Sequence, residues 1–292
     1  MRTQILSKLD LSPAIFSLKA GFPVAFPTET VYGLGAPIFN IQAVQRIFSI
    51  KKRPADNPLI AHISDFSDLE KIVMDLDPRF FVLAEHFWPG PLAIIVKKNP
   101  AVPDIVTAGH ATLAIRMPLH ETARELIAQV GEPLVAPSAN LSGRPSPTTL
   151  QDVLEDLEGL VPYVIDGGET DIGIESTVLL LGKSPTILRP GHIAKEALEN
   201  VLKETVQDRY AGPFLSPGMK YRHYAPKAKL RLIFDENQLG KKFIEPTQQS
   251  LYKGLREADR QMLDEIEIYL SPSVQKDVAL MNRLLRAAGQ IS

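Results

Sequence analysis

The sequence predicts an α/β protein of mixed character: a twisted mixed sheet with helices packed on it, followed by a small C-terminal α/β unit. Three observations carry this. Over residues 1–204, strand-like apolar runs alternate irregularly with amphipathic helical stretches, and several of the strands are joined by tight turns. That pattern argues for a mixed sheet and against a purely parallel βαβ series. Residues 212–226 hold three prolines and two glycines, which marks a boundary, and strand and helix patterns resume beyond it. At 292 residues, with 45% hydrophobic and 23% charged residues, the chain is long enough for a large core and two domains. The expected division is 1–211, a linker or lid at 212–226, and 227–292.

In chain order, residues 12–20 fit a short helix stopped by Gly21. Residues 23–27 read as a buried strand that runs into Thr28-Glu29-Thr30-Val31-Tyr32-Gly33-Leu34-Gly35-Ala36. Two hydroxyls and a carboxylate at a strand end, then two glycines, suit close approach of backbone to a ligand. A turn would explain Thr28, but not the Tyr-Gly-Leu-Gly that follows. Residues 41–50 place Val44, Ile47 and Phe48 at helical spacing and deliver Lys51 at the end.

Lys51-Lys52-Arg53-Pro54-Ala55-Asp56-Asn57-Pro58-Leu59-Ile60-Ala61-His62 is the stretch around which the chain is organised. Pro54 and Pro58 fix φ and push Arg53 and Asn57 out of helical geometry, giving a stiff loop that enters a strand at 59–63. A rigid loop holding Lys51, Arg53 and Asn57 suits a polyanion: arginine offers a planar fork, lysine a mobile point charge. The bland alternative is a solvated basic turn.

Residues 67–70, Ser-Asp-Leu-Glu, are a capping-box pattern opening a helix. Trp88-Pro89-Gly90-Pro91 is a rigid turn before a strand at 92–96. Residues 111–118 alternate in strand fashion, with Thr112, Ala114 and Arg116 on one face and Leu113, Ile115 and Met117 on the other. An arginine there is either surface-facing or pocket-lining, and with the opposite face wholly apolar the pocket is favoured. A helix at 121–130, stopped by Gly131, precedes a strand that opens into Pro137-Ser138-Ala139-Asn140-Leu141-Ser142-Gly143-Arg144-Pro145-Ser146-Pro147, a polar loop stiffened by prolines and suited to a ligand rim. There follow a helix at 149–157, a strand at 163–166, a strand pair at 175–181 and 186–191, and a helix at 193–202. The linker carries Lys220, Tyr221, Arg222, His223 and Tyr224, an aromatic and basic set that fits a lid better than a passive tether. Strands at 230–234 and 266–270 and helices at 248–261 and 278–288 complete the chain.

Charge is uneven. Net charge is −2, and residues 213–292 carry 13 Lys+Arg against 9 Asp+Glu while residues 1–212 carry 19 against 25. Cations clustered at residues 46–53 on an acidic body favour a discrete anion pocket over a broad nucleic-acid footprint. The absence of cysteine excludes disulfides, thiolate zinc sites and cysteine nucleophiles. Six histidines without metal-ligand spacing predict no protein-bound transition metal. There is no Gly-x-x-x-x-Gly-Lys phosphate loop, no Gly-x-Gly-x-x-Gly motif and no serine nucleophile elbow. Nothing resembles a signal peptide or a membrane-length apolar run, so a cytoplasmic protein is expected.

With these stretches in view, the chain resembles the threonylcarbamoyl-AMP synthase family, YrdC-like, in its long two-domain form. The matching segments are residues 27–35, Lys51-x-Arg-Pro-x-x-Asn-Pro-Leu59, the strand ending at Arg116, Pro137-Ser-Ala-Asn-x-Ser-Gly143, Glu175-Ser-Thr177, Arg189-Pro-Gly191 and residues 216–226. They occur in family order across most of residues 20–226.

The resemblance implies a YrdC-like catalytic domain, a small Rossmann-like C-terminal domain, and condensation of L-threonine, bicarbonate or CO2, and ATP into threonylcarbamoyl-AMP and pyrophosphate. Positioning and cationic stabilisation would carry most of the rate, with Mg2+ arriving on the phosphates and no dedicated protein metal site. It places Lys51, Arg53, Ser138 and Asn140 at the catalytic centre. Arg53, Asn57, Thr112, Ser138, Ser146 and Arg189, with Tyr224 and His223 from the linker, would touch ATP. Thr30, His62, Arg116, Ala136 and Ser176 would hold threonine, Arg116 on its carboxylate. The product would pass to a downstream tRNA threonylcarbamoyl transferase, with no membrane association and no stable tRNA binding. One departure stands out: only 66 residues follow Pro226, where two strands and two helices predict a domain either pared down or incomplete near 241–247. The rivals are a non-catalytic RNA-binding module of the same fold, whose affinity would fall steeply with salt, and a related carbamoyl-adenylate transferase domain.

Overall fold

The computed structural model describes residues 2–208, 212–213, 215, 223–240 and 243–290. The larger part consists of β1 (Gln4–Ser7), α1 (Ser12–Lys19), β2 (Val24–Phe26), β3 (Gly33–Pro37), α2 (Ile41–Lys51), β4 (Ile60–His62), α3 (Leu69–Ile72), α4 (Pro78–Phe87), β5 (Leu92–Lys97), α5 (Asp104–Thr107), β6 (Thr112–Arg116), α6 (Glu121–Val130), β7 (Leu134–Val135), α7 (Leu150–Leu157), β8 (Tyr163–Asp166), β9 (Thr177–Leu181), β10 (Pro185–Arg189) and α8 (Lys195–Leu202). Its strands hydrogen-bond in the order β1-β8-β2-β3-β7-β4-β6-β5-β9-β10. Four of the neighbouring pairs are parallel and five antiparallel, so the sheet is mixed, as the irregular alternation predicts.

Alternation along each strand sends side chains to opposite faces of this sheet. Ala25, Leu34, Val135 and Ile94 join one core with α2 and α4, while Val24, Phe26 and Leu134 pack against α1 and α6 on the other face. Burying a side chain such as Leu126 or Ile127 of α6 stabilises by about 2 kcal/mol each. Further along that second face, Ile60, Ala93, Ala114 and Val178 form a smaller cluster. His62 and Arg116 extend from the same face, two residues beyond Ile60 and Ala114 and paired in register with each other.

Several elements depart from the sequence reading. β3 lies in the middle of the sheet, yet Gly-Leu-Gly-Ala-Pro has the composition of a turn. A Cβ on Gly35 would sit 2.6 Å from the Phe26 ring, so glycine is required by close packing and not by a bend. The helix start near residue 67 lies earlier than its capping-box pattern suggests: Asp65 accepts from the Ser67 amide at 2.9 Å and opens a short 3-10 turn before α3. β1 and α4 were not apparent from the pattern.

The C-terminal unit comprises β11 (Lys229–Ile233), β12 (Phe243–Ile244), α9 (Leu251–Arg260), β13 (Glu265–Tyr269), α10 (Pro272–Lys276) and α11 (Val278–Ala287). The strands form a parallel sheet in the order β11-β13-β12. It therefore has three strands where two are predicted, because a two-residue strand leaves no period in the sequence. Its apolar cluster also includes Val31 and Ile174 from the larger part. Arg256, fully buried, pairs with the buried Asp156 at 2.9 Å and donates to the Pro145 carbonyl at 2.6 Å. Arg260 adds ion pairs to Asp152 and Glu155 of α7. Among the described residues no helix is long and apolar enough to cross a membrane.

Candidate active site

A cavity of about 70 Å3 opens between the proline-set loops of the large sheet and the start of the C-terminal unit. Arg53, Arg116, Ser138 and Arg189, from four separate segments, all line it, together with Thr30, His62, Ala136, Ser176, His223 and Tyr224.

The first wall begins at the end of α2. Asn40 caps this helix by accepting from the Ala43 amide at 3.0 Å, and its apolar stripe carries Lys51 inward on the buried side. Lys52 then takes a left-handed conformation (φ 51°) that ends the helix. The Lys51 ammonium donates to the carbonyls of Ser138 and Asn140, each at 2.5 Å. Burial, reinforced by nearby Arg53, lowers its pKa well below the ordinary lysine value. Lys51 lies behind the cavity and binds the Ser138–Asn140 loop to α2. Ser142 N returns a hydrogen bond to the Lys51 carbonyl at 2.9 Å. Asn140 also lies behind the wall: its Oδ1 accepts from the Ser138 hydroxyl at 2.5 Å and its Nδ2 donates to Leu141 and Arg144 carbonyls at 2.8 and 2.9 Å.

Arg53 is braced by its own loop. Nε donates to the Asn57 carbonyl at 3.2 Å and Nη2 to the Pro58 carbonyl at 2.9 Å. Burial depresses its pKa to about 9, partly countered by Tyr224, which leaves it charged at neutral pH. Asn57 thus contributes through its backbone and does not line the cavity.

The second wall is the Arg116 pole. Nη1 donates to Thr30 Oγ1 at 2.9 Å, Nε to the Gly90 carbonyl at 3.1 Å, and Nη2 lies 2.6 Å from Glu29 Oε1. Thr30 Oγ1 is also 2.9 Å from Thr28 Oγ1, so the hydroxyl is held from both sides. His62, beside Arg116, has Nδ1 3.2 Å from the Ile60 carbonyl. Burial, then the Arg116 charge, lowers its pKa to about 3, which makes it a neutral imidazole.

The third wall carries Arg189, whose Nε and Nη2 donate to the Ser176 carbonyl at 3.2 and 3.0 Å and whose Nη2 reaches Ser176 Oγ at 3.2 Å. The next loop comes so close that a Cβ on Gly191 would meet the Thr177 amide at 2.3 Å and the Glu175 carbonyl at 2.6 Å, which explains Arg-Pro-Gly at this place. Tyr224 (φ 65°) stacks on Tyr252 with centroids 5.6 Å apart, and the Arg283 guanidinium lies 5.1 Å over its ring. Burial, then the Arg53 charge, lowers the His223 pKa to about 3. Of the linker cluster, Lys220, Tyr221 and Arg222 lie outside the described residues.

Besides Lys51, Asn57 and Asn140, two more predicted residues do not line this cavity. Thr112 is at the far end of β6, four residues and about 13 Å from Arg116, with its buried hydroxyl lacking a partner among the described residues. Ser146 is buried and donates to Glu175 at 2.5 Å. The sequence reading quoted Glu29 and Glu175 inside motifs without giving them roles, and it missed Tyr252, Arg256 and Arg283 altogether. Their only sequence signal is a carboxylate, a phenol or a guanidinium at an apolar position of a strand end or helix. Among the described residues no group of three His, Asp or Glu side chains gathers as a metal cage.

A Sua5/YciO/YrdC family model, described as "Telomere recombination", matches residues 17–191. A Sua5 C-terminal model, described as "Threonylcarbamoyl-AMP synthase, C-terminal domain", matches residues 193–249 and 236–289. A relative from Pyrococcus abyssi named threonylcarbamoyl-AMP synthase is 41% identical over 315 residues, covering 93% of this chain and 92% of its own. One of the same name from Bacillus subtilis is 40% identical over 323 residues, covering 96% and 93%. The crystal structure of P. abyssi Sua5 complexed with L-threonine superposes with a TM-score of 0.90 at 38% identity, over 98% of each chain.

Proposed function

The chain belongs to the Sua5/YciO/YrdC family and ends in the Sua5 C-terminal domain, and from that membership we propose that it is a threonylcarbamoyl-AMP synthase. It condenses L-threonine, bicarbonate or CO2, and ATP into threonylcarbamoyl-AMP and pyrophosphate, for N6-threonylcarbamoyl modification of tRNA adenosine. The observation that carries this reading is the convergence of Arg53, Arg116, Ser138 and Arg189 on one cavity. Three guanidiniums and a hydroxyl in one small space fit a ligand set with a carboxylate at one end and a polyphosphate at the other.

In this reading Arg116 takes the threonine carboxylate, beside Thr30, His62, Ala136 and Ser176. Arg53 and Arg189 face the nucleotide, with Ser138 beside them and His223 and Tyr224 covering it; Asn57, Thr112 and Ser146, which do not line this cavity, are assigned to the same ligand by the family resemblance alone. The threonine amine forms a carbamate by adding to CO2 with loss of a proton, or by condensing with bicarbonate with loss of water. A carbamate oxygen then attacks the α-phosphorus, the bond to the bridging oxygen breaks, and pyrophosphate leaves with the electron pair. Fixed guanidiniums stabilise the charge that builds on the phosphates, at no reorganisation cost. Lys51 serves by holding Ser138 and Asn140 in place. Glu29 and Glu175 are already committed to Arg116 and Arg283, so the amine proton goes to bicarbonate or water. For the same reason neither carboxylate is free for Mg2+, which in this reading arrives on the triphosphate. The product passes to a tRNA threonylcarbamoyl transferase in the cytoplasm.

Pyrophosphate release tests the proposal. It should require both threonine and bicarbonate and fall sharply when serine replaces threonine. ATP turnover indifferent to threonine would remove the assignment, and tight, salt-sensitive tRNA affinity without turnover would favour an RNA-binding module.

A further inference from the structure

The Glu175 carboxylate, in the cavity wall, is held by three donors. Oε1 accepts from Ser146 Oγ at 2.5 Å and from Tyr252 Oη at 3.1 Å; Oε2 accepts from Tyr252 Oη at 2.9 Å and from Arg283 Nε at 2.8 Å. Tyr252 comes from α9 and Arg283 from α11, both fully buried, and neither lines the cavity. Two of the three donors to this carboxylate therefore belong to the C-terminal unit, while the third, Ser146, belongs to the large one.

We infer that Glu175 is a positioning residue for the nucleotide half of the site, held by Tyr252 and Arg283 and in turn orienting Ser146 and Arg189. The inference rests on the synthase reading. Its first ground is hydrogen-bond chemistry: a serine hydroxyl has one proton, and Ser146 gives it to Glu175, so its lone pairs are all that it can offer elsewhere. Its second ground is charge. Arg189 and Arg283 are both buried: burial and the Arg283 charge lower the Arg189 pKa, while Tyr224 and Glu175 raise it. Burial pushes the Glu175 carboxyl up, but Arg283 and Arg189 outweigh it and hold it at about 2. An ionised Glu175 is thus the counter-charge that lets two guanidiniums share this region.

Glu175→Gln keeps the shape, removes the charge and leaves one acceptor oxygen where the carboxylate has two, so Ser146 and Arg283 cannot both keep their bonds. ATP affinity measured by calorimetry and threonine-dependent pyrophosphate release are both followed in wild type, Glu175→Gln, Tyr252→Phe and the double variant, with thermal unfolding of each. The expected result is ATP binding weakened about tenfold in Glu175→Gln, a smaller loss in Tyr252→Phe, no further loss in the double variant, and a threonine KM little changed. Tyr252→Phe is the decisive case if Glu175→Gln does not fold, since Tyr252 does not line the cavity and losing its hydroxyl leaves the ring packing intact. Unchanged ATP affinity in the folded variants, or equal losses for ATP and threonine, would overturn the inference. Wild type that binds ATP but turns nothing over with threonine would instead sink the synthase reading.

Discussion

Arg116 and Glu29 meet at 2.6 Å almost out of reach of solvent, and neither carboxylate oxygen of Glu29 gains a hydrogen bond among the described residues. The pair is an internal charge balance. Glu29 neutralises a guanidinium that sits in an apolar wall, while Thr30 and Gly90 fix its direction.

Removing one half of such a pair leaves the other charge buried and alone. Glu29→Gln should therefore destabilise the protein by about 3 kcal/mol or more, read as a lowered urea midpoint. A midpoint equal to wild type would show that the guanidinium finds compensation elsewhere.

Arg53→Ala should lower pyrophosphate release roughly tenfold to a hundredfold, the worth of one or two charge-assisted contacts, with an unchanged circular dichroism spectrum. Arg53→Lys should recover only part of this, because one ammonium nitrogen cannot span the separate Asn57 and Pro58 carbonyls and the cavity as the planar guanidinium does with different nitrogens. Full activity in the alanine variant would take Arg53 out of its assigned role.

Acid should weaken the fold in a defined window. The pKa of His62 is about 3 when folded, against an ordinary 6.5. Between those values the unfolded chain binds a proton that the folded protein refuses. Stability is full above pH 6.5 and is lost as pH falls towards 3, by about 1.4 kcal/mol per pH unit from His62, with His223, also held at about 3, adding a loss in the same window. Glu175, folded at about 2 against 4.5, adds a second loss lower down. Urea midpoints should decline from about pH 6.5 downward, less so in His62→Gln. A profile that is flat to about pH 5 in wild type would contradict a neutral, buried His62.

Arg256→Met should cost about 3–5 kcal/mol, because among the described residues Asp156 would keep a buried charge with Arg144 as its one remaining ion-pair partner. Limited proteolysis should then release the C-terminal unit earlier than in wild type. An unchanged digestion pattern would show that the apolar contacts alone hold the two parts together.

Much of this was legible in the sequence because it was written in local chemistry. Prolines at 54 and 58 announced a stiff loop, and alternation at 112–116 put Arg116 on the face of Ala114 that the structure exposes to the cavity. What escaped the sequence is long-range. Nothing near Lys51 says that its ammonium will be consumed by carbonyls 87 and 89 residues away, which turns an apparent phosphate ligand into a brace. Glu175, Tyr252 and Arg283 are unremarkable alone, and only the meeting of α9 and α11 with the large sheet makes them one network. β3 escaped for the opposite reason: its glycines mark close packing against Phe26, and composition cannot tell that from a turn.

The apolar cluster of the C-terminal unit includes Val31 and Ile174. A ribosome makes these two long before it makes α9 and α11, so during synthesis they wait uncovered on an otherwise finished body. The last quarter of the chain then condenses onto a template already in place, and a transcript cut short would leave a sticky scar beside the reaction chamber.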